Sequence, residues 1–266
     1  GDVMVSTDSG NTPDTSAGET AGTGNIHINS SISWSANMLT FKAADKIYIN
    51  NILRGTGSAH LRFFLTAPNA LGNLIQKAPV YLAEGNNASF QFPIEGIVPL
   101  RVITRLGLAG STSGTDLQGI NGNLSGLYLL GDDIDASATS AWNGGSGFTP
   151  IGSDLNPFTG ILFGAGHTIR NLYINRPTDD FVGLLGKSTG EGVSGVGLVN
   201  ASITGANHVG ALAGYNASSI SGSFATGTVR GQSSVGGLVG TLDGDGEVRN
   251  SYAKANVSVY NFADAG

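Results

Sequence analysis

Three times in the second half of this chain the same short pattern returns. Phe181-Val-Gly-Leu-Leu-Gly186, Val209-Gly-Ala-Leu-Ala-Gly214 and Val235-Gly-Gly-Leu-Val-Gly240 follow one another at nearly equal intervals. Each is followed by a second stretch with apolar alternation, at 193–204, 220–230 and 248–258. A recurrence in the range of about 20 to 50 residues constrains the fold more than any local propensity. One such unit is too short to bury its own apolar side chains, so it has to stack on its neighbours. Leu184, Leu212 and Leu238 are expected to point inward in one column. Gly183, Gly186, Gly210, Gly214, Gly237 and Gly240 are expected where backbones approach closely or where corners demand positive φ.

The first half carries a shorter period. Asn25-Ile-His-Ile-Asn29 returns as Lys46-Ile-Tyr-Ile-Asn50, and Leu39-Thr-Phe41 returns after almost the same interval as Leu61-Arg-Phe63. Polar–apolar alternation of this kind marks half-buried strands. Four regions follow: a polar segment or cap at 1–24 with a short strand around Val3 and Val5, coils at 25–65, an irregular region at 66–156, and coils again at 157–266. The irregular region holds Pro68, Pro79, Pro93 and Pro99, which are confined to sheet edges and bulges and suggest protruding hairpins or loops. Within it, 102–106 is left open between helix and strand, and Gly144-Gly145-Ser146-Gly147 marks a turn. The fold expected is all-β, a right-handed parallel β-helix with extra-helical loops or hairpins. Parallel strands stack about 4.8 Å apart, so roughly ten coils would give a rod about 50 Å long.

Composition supports this reading. There are 42 Gly, and charged residues make up only 12%, against about 25% in ordinary globular domains. Helical surfaces need more Glu, Lys and Arg than this. The net charge is −6 with scattered Lys and Arg, so no basic face for nucleic acid is present. No apolar run reaches the roughly 18 residues of a membrane span. The absence of Cys excludes a disulfide framework and a thiol nucleophile. The chain opens on Gly1 with no leader pattern and is read as a fragment of a longer precursor.

The repeats at 25–65 resemble those of large two-partner-secretion exoproteins of the filamentous haemagglutinin type. The run Gly110-Ser-Thr-Ser-Gly-Thr-Asp-Leu-Gln-Gly-Ile-Asn-Gly122, with 133–137 and Gly147-Phe-Thr-Pro-Ile-Gly152, is similar to segments of bacterial surface adhesins. The three Gly-Leu elements resemble the GLUG motif of such proteins. The resemblance implies export through an outer-membrane transporter partner and a place on, or outside, the surface of a Gram-negative bacterium. It also implies attachment to host or matrix glycan or protein. The Asn-Pro-Asn signatures of the secretion domain are absent from the chain.

Chemistry-bearing residues are sparse. Parallel β-helices also host polysaccharide lyases and hydrolases, which need a spaced pair of carboxylates. The acids Asp132, Asp133 and Asp135, Asp179 and Asp180, and Asp243, Asp245 and Glu247 do not recur at the coil period. They read as turn acids, so no enzyme and no cofactor is expected. Asp243-Gly-Asp-Gly-Glu247 is a calcium candidate by ligand type, without the repetition of calcium β-rolls. His27, His60, His167 and His208 are too dispersed to argue a metal site. Asn29, Asn87, Asn123, Asn200, Asn216 and Asn256 each open an Asn-x-Ser sequon. Trp34 is expected in the core. Trp142, in a Gly-rich loop, is the candidate for stacking on a ligand. Three functions stay open: an adhesin shaft, a polysaccharide-degrading enzyme, and a structural spacer.

Overall fold

A computed structural model describes residues 1–7, 24–65, 74–92 and 96–261. The polar segment 8–23, Pro68 and Pro93 lie outside the described residues. The chain is 51% strand and 6% helix, and winds as a parallel β-solenoid of about seven turns. It divides into two units, Gly1–Val102 and Ile103–Gly266. The boundary falls inside the 66–156 region that the sequence reading treats as one stretch. Seven turns rather than ten follow from two features of the second unit. Its coils are longer, with Val193 paired to Ile220 and Ile220 to Val248, and a long irregular passage opens it.

In the first unit the strands are β1 (Val3–Ser6), β2 (Ile26–Ile28), β3 (Ile32–Trp34), β4 (Met38–Ala43), β5 (Ile47–Ile49), β6 (Leu53–Gly55), β7 (His60–Leu65), β8 (Leu74–Gln76), β9 (Val80–Tyr81), β10 (Gly85–Phe92) and β11 (Gly96–Ile103). They form three walls: β1-β4-β7-β10-β11, β2-β5-β8 and β3-β6-β9. The register places Ile26 beside Ile47 and Leu39 beside Leu61, so both short-period recurrences are coil repeats. Like stacks on like inside. Phe41, Phe63 and Phe90 are buried in one column, with ring centroids 6.2 and 6.3 Å apart. Such pairs add about 0.5–1.5 kcal/mol beyond area burial. The strand around Val3 and Val5 is β1, parallel to β4. The Pro-containing stretch does form a hairpin, but β10 is parallel to β7 and antiparallel to β11. The hairpin therefore extends a wall instead of standing off it, and residues 102 and 103 are strand.

The second unit contains β12 (Leu127–Leu130), β13 (Ile134–Asp135), β14 (Ile161–Phe163), β15 (Thr168–Arg170), β16 (Tyr173–Asn175), β17 (Leu185–Ser188), β18 (Gly192–Ser194), β19 (Gly197–Thr204), β20 (Asn207–Gly210), β21 (Ala213–Asn216), β22 (Ser219–Ser221), β23 (Phe224–Gly231), β24 (Ser233–Gly236), β25 (Val239–Leu242), β26 (Glu247–Arg249) and β27 (Tyr252–Val259). Its walls are β12-β14-β18-β22-β26, β13-β15-β19-β23-β27 with β16 beside β19, and a third side made of β17-β21-β25 and β20-β24. Leu184, Leu212 and Leu238 are buried directly ahead of the paired residues Leu185, Ala213 and Val239, so they share a column. The glycines serve close approach and not positive φ. A Cβ on Gly214 would lie 2.5 Å from the His208 carbonyl oxygen and the Val182 amide. The positive φ of this corner is carried by Phe181, His208 and Ser234, at 59°, 55° and 51°.

Around β12 and β13, the rest of the passage from 107 to 152 uses side chains as substitutes for strands. Two 3-10 segments, Gln118–Gly122 and Ser137–Gly145, occupy it. The Gln118 amide donates to the Thr149 carbonyl and accepts from the Thr149 N–H, both at 3.0 Å. Asn121 does the same for Pro150 O and Gly152 N–H, at 3.2 and 3.0 Å. On the opposite edge, Ile151 bonds to the backbone of Leu184 and Gly186. Two side-chain amides thus close the free edge of the third side where a coil would otherwise be missing, which removes an exposed strand edge. Asp116 is buried and holds the preceding turn, accepting from Gly119 N–H at 2.7 Å and from the Ser111 and Ser113 hydroxyls.

Three substitutions test this architecture by urea unfolding. Leu212→Ala is expected to cost about 2–5 kcal/mol, the range for a buried leucine whose site cannot collapse. Leu242→Ala, at an exposed position, is expected to stay within about 0.5 kcal/mol. Gln118→Ala leaves the Thr149 amide and carbonyl unsatisfied and is expected to cost about 1–3 kcal/mol. An unchanged unfolding midpoint in Gln118→Ala would refute the edge-closing role.

Candidate functional site

The sites proposed from the sequence are mostly dispersed by the fold. Asp243, Asp245 and Glu247 do flank a turn between β25 and β26, but they do not converge. The Asp243 carboxylate accepts from the Tyr215 hydroxyl, and Glu247 pairs with Arg249. Among the described residues no three His, Asp or Glu side chains gather to hold a metal ion. Trp142 is half-buried against the core, with its ring 6.4 Å from that of Phe148. That packing covers part of the ring and leaves the rest at the surface. Trp34 is likewise half-buried, with its indole Nε1 buried. Asn216 is fully buried; its amide donates to Ser218 O at 2.7 Å and accepts from the Ser218 hydroxyl. A glycan cannot be attached there in the folded chain. Asn29, Asn123, Asn200 and Asn256 are exposed and Asn87 is half-exposed.

The acids at 132–135 and 179–180 bind the chain to itself. Asp133 accepts from Thr168 N–H at 2.8 Å and pairs with Arg170 at 3.1 Å and His167 at 3.5 Å. Burial pushes its carboxyl up, but the Thr168 bonds and the neighbouring His167 and Arg170 outweigh this and leave it below the ordinary range. Asp135 is held low mainly by the Ser137 amide. Asp180 accepts from the Asn207 backbone and side chain at 3.0 and 2.7 Å. Of the histidines, His27 stacks on Tyr48 at 4.3 Å and His60 bonds to Ser58 O at 3.0 Å.

One cluster was not visible in the sequence. Along β17, β21 and β25 the register aligns Lys187, Tyr215 and Thr241. Beside them the left-handed corner column holds Phe181, His208 and Ser234. The Phe181 ring stacks on His208 with centroids 4.8 Å apart and planes 10° apart. Tyr215 meets both rings edge-on, at 6.1 Å from each. The Lys187 ammonium lies 5.6 Å from the Phe181 centroid and 5.0 Å from that of Tyr215, within cation–π reach. It also pairs with Asp154 at 2.7 Å, while His208 Nδ1 bonds to the Thr241 hydroxyl at 2.7 Å. The Asp243 carboxyl is held low by the Tyr215 hydroxyl, which is itself pushed up by that bond. All three rings are partly exposed. This is an outward-facing aromatic strip with one ammonium and two carboxylates.

The strip was hidden by a one-residue difference. Sequence alignment of the repeats sets Phe181 against Val209, which would point Phe181 inward. The structure pairs Val182 with Val209 and Leu185 with Ala213. Val182 is the buried residue, and Phe181 falls on His208. A bulky residue held at positive φ costs about 1–3 kcal/mol unless its surroundings hold it there.

The third side with its glycine-cradled corner defines a repeat class: residues 205–230 and 231–258 match the family described as the GLUG motif. The remaining element, at 181–186, lies outside those matches. Over 152 residues the chain is 46% identical to halomucin of the archaeon Haloquadratum walsbyi, covering 54% of this chain and 2% of halomucin. No solved structure matches the chain. No helix among the described residues is long and apolar enough to cross a membrane. Fold, repeats and relative together fit a surface or secreted β-solenoid repeat protein.

Asp133, Asp135 and Asp243 have folded-state pKa values below that of a free carboxyl. Their contribution to stability is therefore present above about pH 4 and is lost as pH falls through the lowered folded values. Urea unfolding between pH 7 and pH 2 is expected to show this loss at the acid end. Asp133→Asn should flatten that limb, and an equally steep acid limb in the variant would contradict the assignment.

Proposed function

We propose that this chain is part of a non-catalytic adhesin. Its solenoid holds the strip around Phe181, Lys187, His208 and Tyr215 rigidly toward a glycan, a matrix component or another cell. The observation that carries this reading is the strip itself: aromatic and charged side chains placed outward, on a wall whose interior is already filled by Val182, Leu184, Val209 and Leu212. Exposed aromatic clusters rimmed by polar groups are the ordinary chemistry of attachment surfaces. Rigidity comes from the fold, since each coil is clamped by the ladders above and below it.

The non-catalytic part rests on the acids. A glycoside hydrolase needs one carboxyl raised so that it can donate a proton. Asp133, Asp135 and Asp243 are instead lowered and tied to Thr168, Ser137 and Tyr215, which supports a structural role for these three acids. Export through an outer-membrane transporter and a Gram-negative cell surface belong to the same proposal as its finer form. The archaeal relative supports surface exposure without favouring that route.

The test is attachment of the purified chain to immobilised matrix proteins, polysaccharides and whole cells, read beside release of reducing sugar. Saturable attachment without product is the expected outcome. Product release would make the chain an enzyme, and absence of attachment to every surface would reduce it to a spacer.

A further inference from the structure

We infer that the strip formed by Phe181, Lys187, His208 and Tyr215 is a subsite for an uncharged pyranose chain lying along the stacked coils. The inference deepens the adhesin reading and rests on it. Four observations carry it.

The rings are not needed by the core. Val182, Leu184, Val209 and Leu212 fill the interior beneath them and are fully buried. Phe181 is moreover held at φ 59°. At left-handed positions on another wall, Asn171, Asn200 and Asn250, the chain uses Asn, at 60°, 57° and 49°. Asn tolerates that region, whereas a bulky side chain there is an outlier. A phenyl ring kept where Asn or Gly would be easier points to use of the ring.

Charge selects the ligand. The strip holds one ammonium, Lys187, between two carboxylates, Asp154 and Asp243. The whole chain carries a net −6. A polyuronate or sulfated glycan would meet net repulsion here. A neutral sugar would not. Its hydroxyls can donate to the Asp154 and Asp243 carboxylates and accept from the Lys187 ammonium, all charge-assisted bonds. Its weakly positive C–H face suits the negative face of the Tyr215 ring, which stands edge-on to the mutually stacked Phe181 and His208.

Spacing favours a chain over a single sugar. Lys187, Tyr215 and Thr241 recur one per coil, about 4.8 Å apart, which is close to the length of one pyranose. Successive sugars would then meet successive coils. At one rim, the loop holding Asp154 carries Leu155, which is 88% exposed and gives an apolar contact beside the ion pair.

The experiment is calorimetric and saturation-transfer titration of the full 266-residue chain with neutral hexaoses of gluco, galacto and manno configuration, beside oligogalacturonate as the anionic probe. Phe181→Gly removes the ring at a φ that glycine prefers, so the fold should keep its thermal midpoint. Tyr215→Ala removes the second ring, and Tyr215→Phe keeps it. At least tenfold weaker binding of a neutral hexaose is expected for Phe181→Gly and Tyr215→Ala. Tyr215→Phe should stay within about threefold of the parent, and His27→Ala, at the ring pair of the first unit, should match it. Equal affinity in parent, Phe181→Gly and Tyr215→Ala would overturn the site, as would preference for the galacturonate. Attachment to cells with no binding of any neutral hexaose would overturn the ligand class while leaving the adhesin reading intact. Loss of both would remove the two together.

Discussion

Coil-on-coil hydrogen bonding in parallel register is the interaction on which everything else in this structure depends. A single coil has a few strands of a few residues each and no interior of its own. It becomes stable only when the next coil covers its apolar side chains and satisfies its backbone edges. Like-on-like columns follow directly. Phe41 stacks on Phe63 and Phe90, Ile26 on Ile47, and Leu184 on Leu212 and Leu238, because a fixed spacing of coils rewards equal volume at equal position. The same constraint forces glycine where a Cβ would strike the backbone of the neighbouring coil, as at Gly214.

Where the repeat is interrupted the constraint remains, and side chains take over the role of backbone. Gln118 and Asn121 present an amide N–H and C=O in the arrangement a strand would offer to Thr149, Pro150 and Gly152. Thr139 does a similar service by accepting from Tyr173 N–H at 3.0 Å. Two of the three adhesin-like segments, 110–122 and 147–152, are therefore the two halves of one edge-closing device. It shows that resemblance by motif can be structural without saying anything about ligand.

The outward strip arises from the same geometry. The left-handed corner turns one side chain per coil away from the interior, and in this chain those side chains are Phe181, His208 and Ser234. Neighbouring coils bring the first two face to face, and the adjacent ladder adds Lys187 and Tyr215. Residues of the strip are close in sequence only within a single coil. The chemistry exists because stacking converts a spacing of one period into contact. The acids behave in the opposite way. Asp133, Asp180 and Glu247 are consumed by contacts with neighbouring coils or nearby strand residues.

The sequence by itself determined that this chain is a stack of parallel coils, where most coil strands fall, and which leucines and phenylalanines fill the interior. These follow from periodicity, since burial between identical neighbours demands recurrence of the residues buried. It also marked the glycines, though not whether they serve a corner or a close contact. Only the tertiary structure decided the register to the single residue, and with it that Val182 and not Phe181 faces inward. Side chains alternate between faces with a period of two, so one missing residue between Val182 and Leu184 exchanges interior for exterior. Where such a gap is absorbed depends on backbone contacts between coils, and those do not exist until the coils have stacked. The burial of Asn216, the packing of Trp142 and the dispersal of Asp243, Asp245 and Glu247 were settled at that same stage.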